Sequence, residues 1–481
     1  MLHGGNRPGL ALPRRPMLIQ LKTSAVRIGM FVADLDRPWL DTPFLLQGFL
    51  IEDDEQLAEL RKYCQSVSID RERSRAGLFP DEMVAELHEP PRVLLTLEGK
   101  LKQEVVSVST TTKIGLFDRL LGAFGSSGEF SSLGGRDSDI DEGPPPPVVH
   151  HEYIPQNVEL TYHPRTRSFQ DEVEPATQVF THSVDLTKQI FSDIEGGKPI
   201  AIEGLQDVMT GMVESMVRNP DALLWVAHLK QEHSETYAHD LQVAVYLTAF
   251  GRNLNLPKNM LDQLCMLGLL LDIGKTKLPP ELLAKPGKMT PEEFAWAKQH
   301  VKLGLNLLHD TPSLHNDILE GIAQHHERED GTGYPGALST GSISLFGRMA
   351  GIVDTFVAMT NERPYGKAEP ALDTLRKMTL WSQDVFHKPL VEQFIQSVGV
   401  FPVGSLVELS NGEVAVVIKQ NKVRRLQPRV LVICGPDKVP SKAFRVMELL
   451  YQADKDAARV HIARGLPAGA YGLDAHEYYL S

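Results

Sequence analysis

Between residues 171 and 400 apolar residues recur at spacings of three and four, which commits nearly half of the chain to amphipathic helices. The pattern predicts helices over 180–194, 205–217, 222–229, 237–252, 261–271, 292–308, 315–326, 346–359, 370–378 and 389–398. Most connections between them are short. The two long ones, 273–291 and 327–345, each begin directly after a chemically distinctive residue, Asp272 and His326. A long loop in a compact helical domain is often functional.

The second loop opens with His325-His326-Glu327-Arg328-Glu329-Asp330-Gly331-Thr332-Gly333-Tyr334-Pro335. Adjacent residues on a helix point about 100° apart, so neighbouring imidazoles converge only where a helix ends. The Asp330-Gly331 and Gly333-Tyr334-Pro335 breakers place an end here. The alternative for an isolated His-His pair is a polar helix end facing water. Other potential ligands weigh against it. Glu235 and His239 lie four apart on one helical face, and Asp272 ends the apolar run 267–271 with Lys275 three residues later. His300 precedes Gly304 by four, and Asp354 sits inside an apolar helix, where a carboxylate is costly unless paired or metal-bound. This nitrogen- and oxygen-rich set without cysteine suits a catalytic iron, manganese or zinc better than a structural zinc.

The arrangement His239, Asp272-x-x-Lys275, His300-x-x-x-Gly304, His325-His326-Glu-x-x-Asp-Gly-x-Gly333-Tyr334-Pro335, Asp354 and Arg363-Pro364-Tyr365 closely resembles the HD-GYP domain. That is a bacterial helical family that hydrolyses cyclic di-GMP at a site of two or three metals. The resemblance covers roughly residues 180–400. It implies an all-α HD-superfamily domain and two divalent ions. Iron or manganese come first, with zinc, magnesium or nickel as the other options. By the same carry-over Asp272 bridges the ions. One ion takes His239, Asp272 and Asp354, with Glu235 in reach, and the second takes Asp272, His300, His325 and His326. Lys275 would neutralise a phosphate oxygen, so Asp272 and Lys275 are the catalytic candidates. Arg363 and Lys367 are candidates for the second phosphate. Tyr334 either contacts a base or packs a tight turn. The chain departs from the family at one place: Leu271 stands where the histidine of the His-Asp pair is expected, which removes a ligand from the first ion. Two functional readings follow, a cyclic-di-GMP phosphodiesterase and a catalytically impaired module that binds the dinucleotide or a protein partner.

The remaining sequence flanks this domain, so the whole reads as multidomain and mainly α. Residues 1–16, with Arg7, Arg14 and Arg15 among Gly and Pro, read as a disordered leader. Residues 17–98 read as a small β-rich or α/β regulatory domain, with strands near 18–21, 26–32 and 66–70 and a helix over 55–64. Its Gly29-Met30-Phe31-Val32 and Trp39-to-Phe44 stretches resemble the small domain of unassigned function that often precedes HD-GYP domains in proteobacteria. Residues 99–170 read as a flexible Ser/Gly/Pro-rich linker, in which His150-His151 carries no ligand pattern. Residues 401–481 read as a small β appendage, with strands at 405–409, 413–418 and 429–433 and an Asn411-Gly412 turn, then a polar tail with a further helix. The net charge of −13 argues against DNA or RNA as a partner, and no apolar run approaches membrane-spanning length. Cys64, Cys265 and Cys434 read as buried thiols of a reducing compartment, hence a cytoplasmic protein. The expected partners are a cyclic dinucleotide, other signalling proteins and a second copy in a homodimer.

Overall fold

The structure is a computed structural model. It describes residues 18–36, 49–51, 54–70, 74, 148–229, 236–309, 311, 314–362, 366–421, 426–450, 460–467 and 469–473. The expected leader, most of the expected linker, Trp39, Phe44, Glu235 and Arg363 lie outside these residues. The chain divides into two compact units, residues 1–107 and 108–481.

The first unit is a four-stranded sheet of order β1-β4-β2-β3. Its strands are β1 (Leu18–Lys22), β2 (Phe31–Leu35), β3 (Phe49–Leu50) and β4 (Ser66–Asp70), all paired antiparallel. Helix α1 (Asp54–Tyr63) joins β3 to β4 and sets Leu57 and Leu60 into a core with Val26, Met30, Val32, Ile51, Val67 and Ile69. The strand expected over 26–32 begins later: Gly29 has φ +93° and its N–H donates to the Ile51 carbonyl at 2.7 Å, so residues before Phe31 form a turn.

The second unit is a helical domain fused to a sheet. Ile154, the segment's anchor, is 1 % exposed, so residues 148–168 are not linker as expected but an irregular segment packed on the helices. His151 stacks on Tyr153, the Thr161 N–H donates to the Asn255 carbonyl at 2.6 Å, and Arg165 pairs with Asp221 at 2.8 Å. The Pro, His and Arg content hid this core contact from the sequence reading. Helix α2 (Phe169–Glu195) then starts at an N-cap, with Ser168 Oγ accepting from Asp171 N–H. Buried Glu172 on α2 accepts from Arg218 and Ser215 of α3 (Ile202–Arg218), which locks these two helices together.

Helices α4 (Pro220–Leu229), α5 (Thr236–Asn253) and α6 (Lys258–Leu270) follow. Helix α5 is buried on nearly every face from Asp240 to Gly251, as expected of a helix at the centre of a bundle. The long connection after α6 is not a loop throughout: it contains a 3-10 turn (Ile273–Lys277) and a short α7 (Pro280–Leu283). The helix expected over 292–308 divides into α8 (Pro291–Ala297), with a Thr290–Glu293 capping box, and α9 (Gln299–Leu308). Helices α10 (Asn316–Gln324), α11 (Leu345–Thr360), α12 (Ala371–Trp381) and α13 (Lys388–Val398) complete the domain. Rings of Tyr246, Phe250, Phe356 and Phe394 tie α5, α11 and α13 together with centroid separations of 5.2–5.4 Å.

The C-terminal strands form one antiparallel sheet of order β8-β7-β6-β5-β9: β5 (Leu406–Leu409), β6 (Val414–Lys419), β7 (Arg429–Cys434), β8 (Pro440–Glu448) and β9 (Ile462–Gly465). Val414, Val416, Ile418, Leu431 and Ile433 share the core of the helices, so this sheet is part of the domain rather than an appendage. Of the tail, the described residues form β9, which pairs with β5, and a 3-10 turn (Ala470–Gly472); most of the stretch in which a helix was expected lies outside the described residues. Among the described residues no helix is long and apolar enough to cross a membrane.

Candidate metal centre

The site is assembled by glycine contacts between backbones. A Cβ on Gly268 of α6 would lie 2.3 Å from the Ala244 Cα of α5, so the two helices touch directly one turn before Asp272. A Cβ on Gly274 would lie 1.9 Å from the His300 carbonyl and 2.4 Å from the Gly304 nitrogen, so the 3-10 turn lies directly against α9. The spacing His300-x-x-x-Gly304 thereby gains a physical reason: Gly304 admits the turn that carries Asp272 and Lys275, and His300 faces that turn.

Asp272, 1 % exposed, sits where α6 ends. Its Oδ1 is 3.3 Å from His300 Nε2 and 4.0 Å from His325 Nε2, and His300 and His325 Nε2 are 3.4 Å apart. His325 and His326 converge because α10 stops at Gln324, as the turn signals required, and their ring centroids are 4.0 Å apart. Ligand atoms of Asp272, His300, His325 and His326 all lie within 4.8 Å of one another. On the other side of Asp272, His239 Nε2 is 2.9 Å from Asp354 Oδ1 and 3.9 Å from Asp272 Oδ2. Lys275 Nζ donates to Asp272 Oδ2.

Two of the imidazoles are pre-set for coordination. Nδ1 of His300 donates to the Ala297 carbonyl and Nδ1 of His325 to the Ile322 carbonyl, both at 2.7 Å, which turns each Nε2 lone pair toward Asp272. Burial lowers the pKa of His325 to about 4, lowers that of His300, and with His325 alongside drives His326 well below its usual value, so all three are neutral at pH 7. Burial alone would raise the Asp272 carboxyl, but the Lys275 ammonium beside it outweighs this and holds the group ionised. At Asp354 burial is likewise outweighed by the hydrogen bond from His239.

Tyr334 stacks on His326, with centroids 4.5 Å apart and planes 26° apart, and Lys298 lies over its ring. The ring therefore braces a ligand candidate, and the Tyr334–Pro335 peptide is cis. Lys367 is exposed.

Two functional residues escaped the sequence reading. Glu327 accepts from the N–H groups of Gly336 at 2.5 Å and Leu338 at 2.8 Å, which folds the Gly-Tyr-Pro loop back onto the two histidines. Asp240, fully buried on α5, accepts the Asp272 N–H through Oδ2 at 3.2 Å. Burial and then the charge of Asp272 raise its pKa well above the carboxylate range. The signal was available: Asp240 lies in an apolar helix, the same setting that singled out Asp354.

Asp272 Oδ1 and Asp240 Oδ1 are buried without a hydrogen-bond partner among the described residues. Buried oxygens in that state are costly unless something else coordinates them. With three neutral imidazoles alongside, the residues fit divalent metal. The fold and the site together define a helical domain with a candidate divalent-metal centre.

Comparison with known proteins agrees. Residues 224–383 match the HD domain family, and residues 18–205 match a domain of unknown function, DUF3391. The chain thus carries an HD domain, preceded by a region that matches the domain of unknown function. It is similar to the cyclic di-GMP phosphodiesterase PA4108 of Pseudomonas aeruginosa, at 29 % identity over 88 % of this chain and 87 % of that one. It is also similar to a cyclic di-GMP phosphodiesterase of Thermotoga maritima, at 32 % identity over 34 % of this chain and 44 % of that one. A third relative is the 3'3'-cGAMP-specific phosphodiesterase 2 of Vibrio cholerae, at 32 % identity over 34 % of this chain and 31 % of that one.

Proposed function

We propose that this chain is a cytoplasmic phosphodiesterase that hydrolyses a 3′–5′ bond of cyclic di-GMP with two divalent ions, iron or manganese. The convergence of Asp272, His300, His325 and His326 from three separate elements is the observation that carries this reading. Asp272 lies between two ligand groups, with His239 and Asp354 on one side and the three imidazoles on the other, as a bridging carboxylate must. When bound, such a pair of ions polarises the phosphate and lowers the pKa of a water. Lys275, a quarter exposed beside Asp272, faces the place where a phosphate oxygen would carry developing charge. Tyr334 holds His326 in plane and, with Phe294 and Lys298 beside it, offers a ring at the edge of the site for a base. Arg363 and Lys367 follow in the segment assigned to the second phosphate. The N-terminal unit serves as the regulatory region.

A binding-only module is the second reading, and Leu271 favours it, because a buried leucine supplies no ligand to the first ion. The test is metal analysis of purified protein together with turnover of cyclic di-GMP and of 3'3'-cGAMP under a manganese titration. Two ions per chain with hydrolysis of cyclic di-GMP supports the enzyme. Tight dinucleotide binding without product at any metal concentration supports the module. Preference for the mixed dinucleotide would reassign the substrate.

A further inference from the structure

We infer that Asp240 is a ligand of the first metal position, replacing the imidazole that Leu271 cannot provide; the inference rests on the two-ion reading above. Asp240 lies one helical turn before Ala244 on α5, and Asp272 one turn after Gly268 on α6. The Ala244–Gly268 backbone contact therefore sets these two carboxylates side by side. Ligand atoms of His239, Asp240 and Asp272 all lie within 4.8 Å of one another.

Asp240 does more than hold the backbone. Its Oδ2 accepts the Asp272 N–H, which a serine or asparagine would do equally well. Its Oδ1 is fully buried and has no hydrogen-bond partner among the described residues. A carboxylic acid placed in an apolar helix with one oxygen committed and one orphaned is unfavourable as the ion unless a proton or a cation takes the second oxygen, and a cation beside Asp272 would displace that proton. Leu271, next to Asp272 and packed in the core, leaves the first ion with His239 and Asp272, and with Asp354 bonded to His239, among the described residues; Asp240 is the third group that converges with His239 and Asp272. The exchange of an imidazole for a carboxylate also changes the chemistry. Three carboxylates and one imidazole suit manganese or magnesium better than zinc.

The test uses the full-length chain, with metal content measured by atomic emission and manganese affinity by calorimetry on protein stripped by chelation. The native protein should bind two manganese ions. Asp240→Asn and Asp240→Ser, which keep an acceptor for the Asp272 N–H, should bind one tightly, with the affinity of the other falling tenfold or more. Asp240→Asn combined with Leu271→His should bind two again. Two tightly held ions in both single variants would overturn the inference while leaving the two-ion reading intact. Fewer than two in the native protein would overturn that reading and the inference with it. If both single variants fail to fold in metal-free and loaded buffer alike, Asp240 is structural and the inference falls.

Discussion

Gly274→Ala tests whether a backbone contact sets the metal centre. The added Cβ would lie 1.9 Å from the His300 carbonyl oxygen, 2.4 Å from the Gly304 nitrogen and 2.9 Å from the Gly304 Cα, all backbone atoms that no rotamer change can move. Ordinary contact begins near 3.4 Å, so the turn bearing Asp272 and Lys275 must separate from α9 by about 1.5 Å. His300 Nε2, now 3.3 Å from Asp272 Oδ1, would then stand close to 5 Å away, far beyond the roughly 0.2 Å tolerance of a metal–ligand distance. Overpacking of this kind destabilises by about 1–3 kcal/mol. The substitution should therefore lower the melting temperature of the metal-free protein by several degrees and weaken metal binding by at least tenfold. Calorimetric manganese titration and thermal unfolding of both proteins provide the readout. Native metal affinity in Gly274→Ala would refute the claim that the Gly274–Gly304 contact aligns the ligands.

Lys275→Met should leave metal content unchanged and slow turnover by about a hundredfold or more, as removal of a charge-stabilising donor does; quantifying linear dinucleotide against bound metal checks this. Glu327→Gln keeps one acceptor but loses its charge toward Gly336 and Leu338, so stability should fall by about 1–2 kcal/mol and the loop amides should lose protection from hydrogen exchange. In metal-free protein the unfolded chain protonates His325 below its ordinary 6.5 while the folded chain holds it neutral down to about 4. The His325 contribution to stability should thus rise with pH between those values by about 3 kcal/mol and flatten above them, with His300 and His326 adding in the same direction; urea unfolding at pH 4.5 and 7 measures the slope, and a flat profile would contradict it.

The helical framework was legible because its apolar spacing is set by burial against neighbouring helices, and the ends of α5, α10, α11 and α13 fall within a few residues of the sequence reading. The histidine cluster was legible because ligand type and turn signals coincide at residues 325–335. The apolar setting of Asp240 was visible but its place in the site was not, because it adjoins His239, and adjacent helical side chains usually diverge. Only the approach of Gly268 to Ala244, a contact between segments distant in sequence, brings it to the site. Strand β9 was missed because it is only four residues long, with none of them buried, and lies at a sheet edge, where one face stays wet. Residues 148–168 were misread because their few apolar anchors, Ile154 foremost, are spaced without helical or strand period.

The hydrogen bonds from His300 and His325 to the carbonyls of their own helical turns bear on how the centre fills. Each ring has its one proton committed to the backbone and its lone pair already aimed, so at neutral pH neither has to lose a proton or choose a tautomer before it coordinates. Uptake by these two ligands then displaces no proton above about pH 6.5 and is independent of acidity there. In the proposed enzyme loading at these two ligands would follow the free concentration of manganese or iron, so that any pH dependence of the centre enters through its other ligands, His239 and the carboxylates.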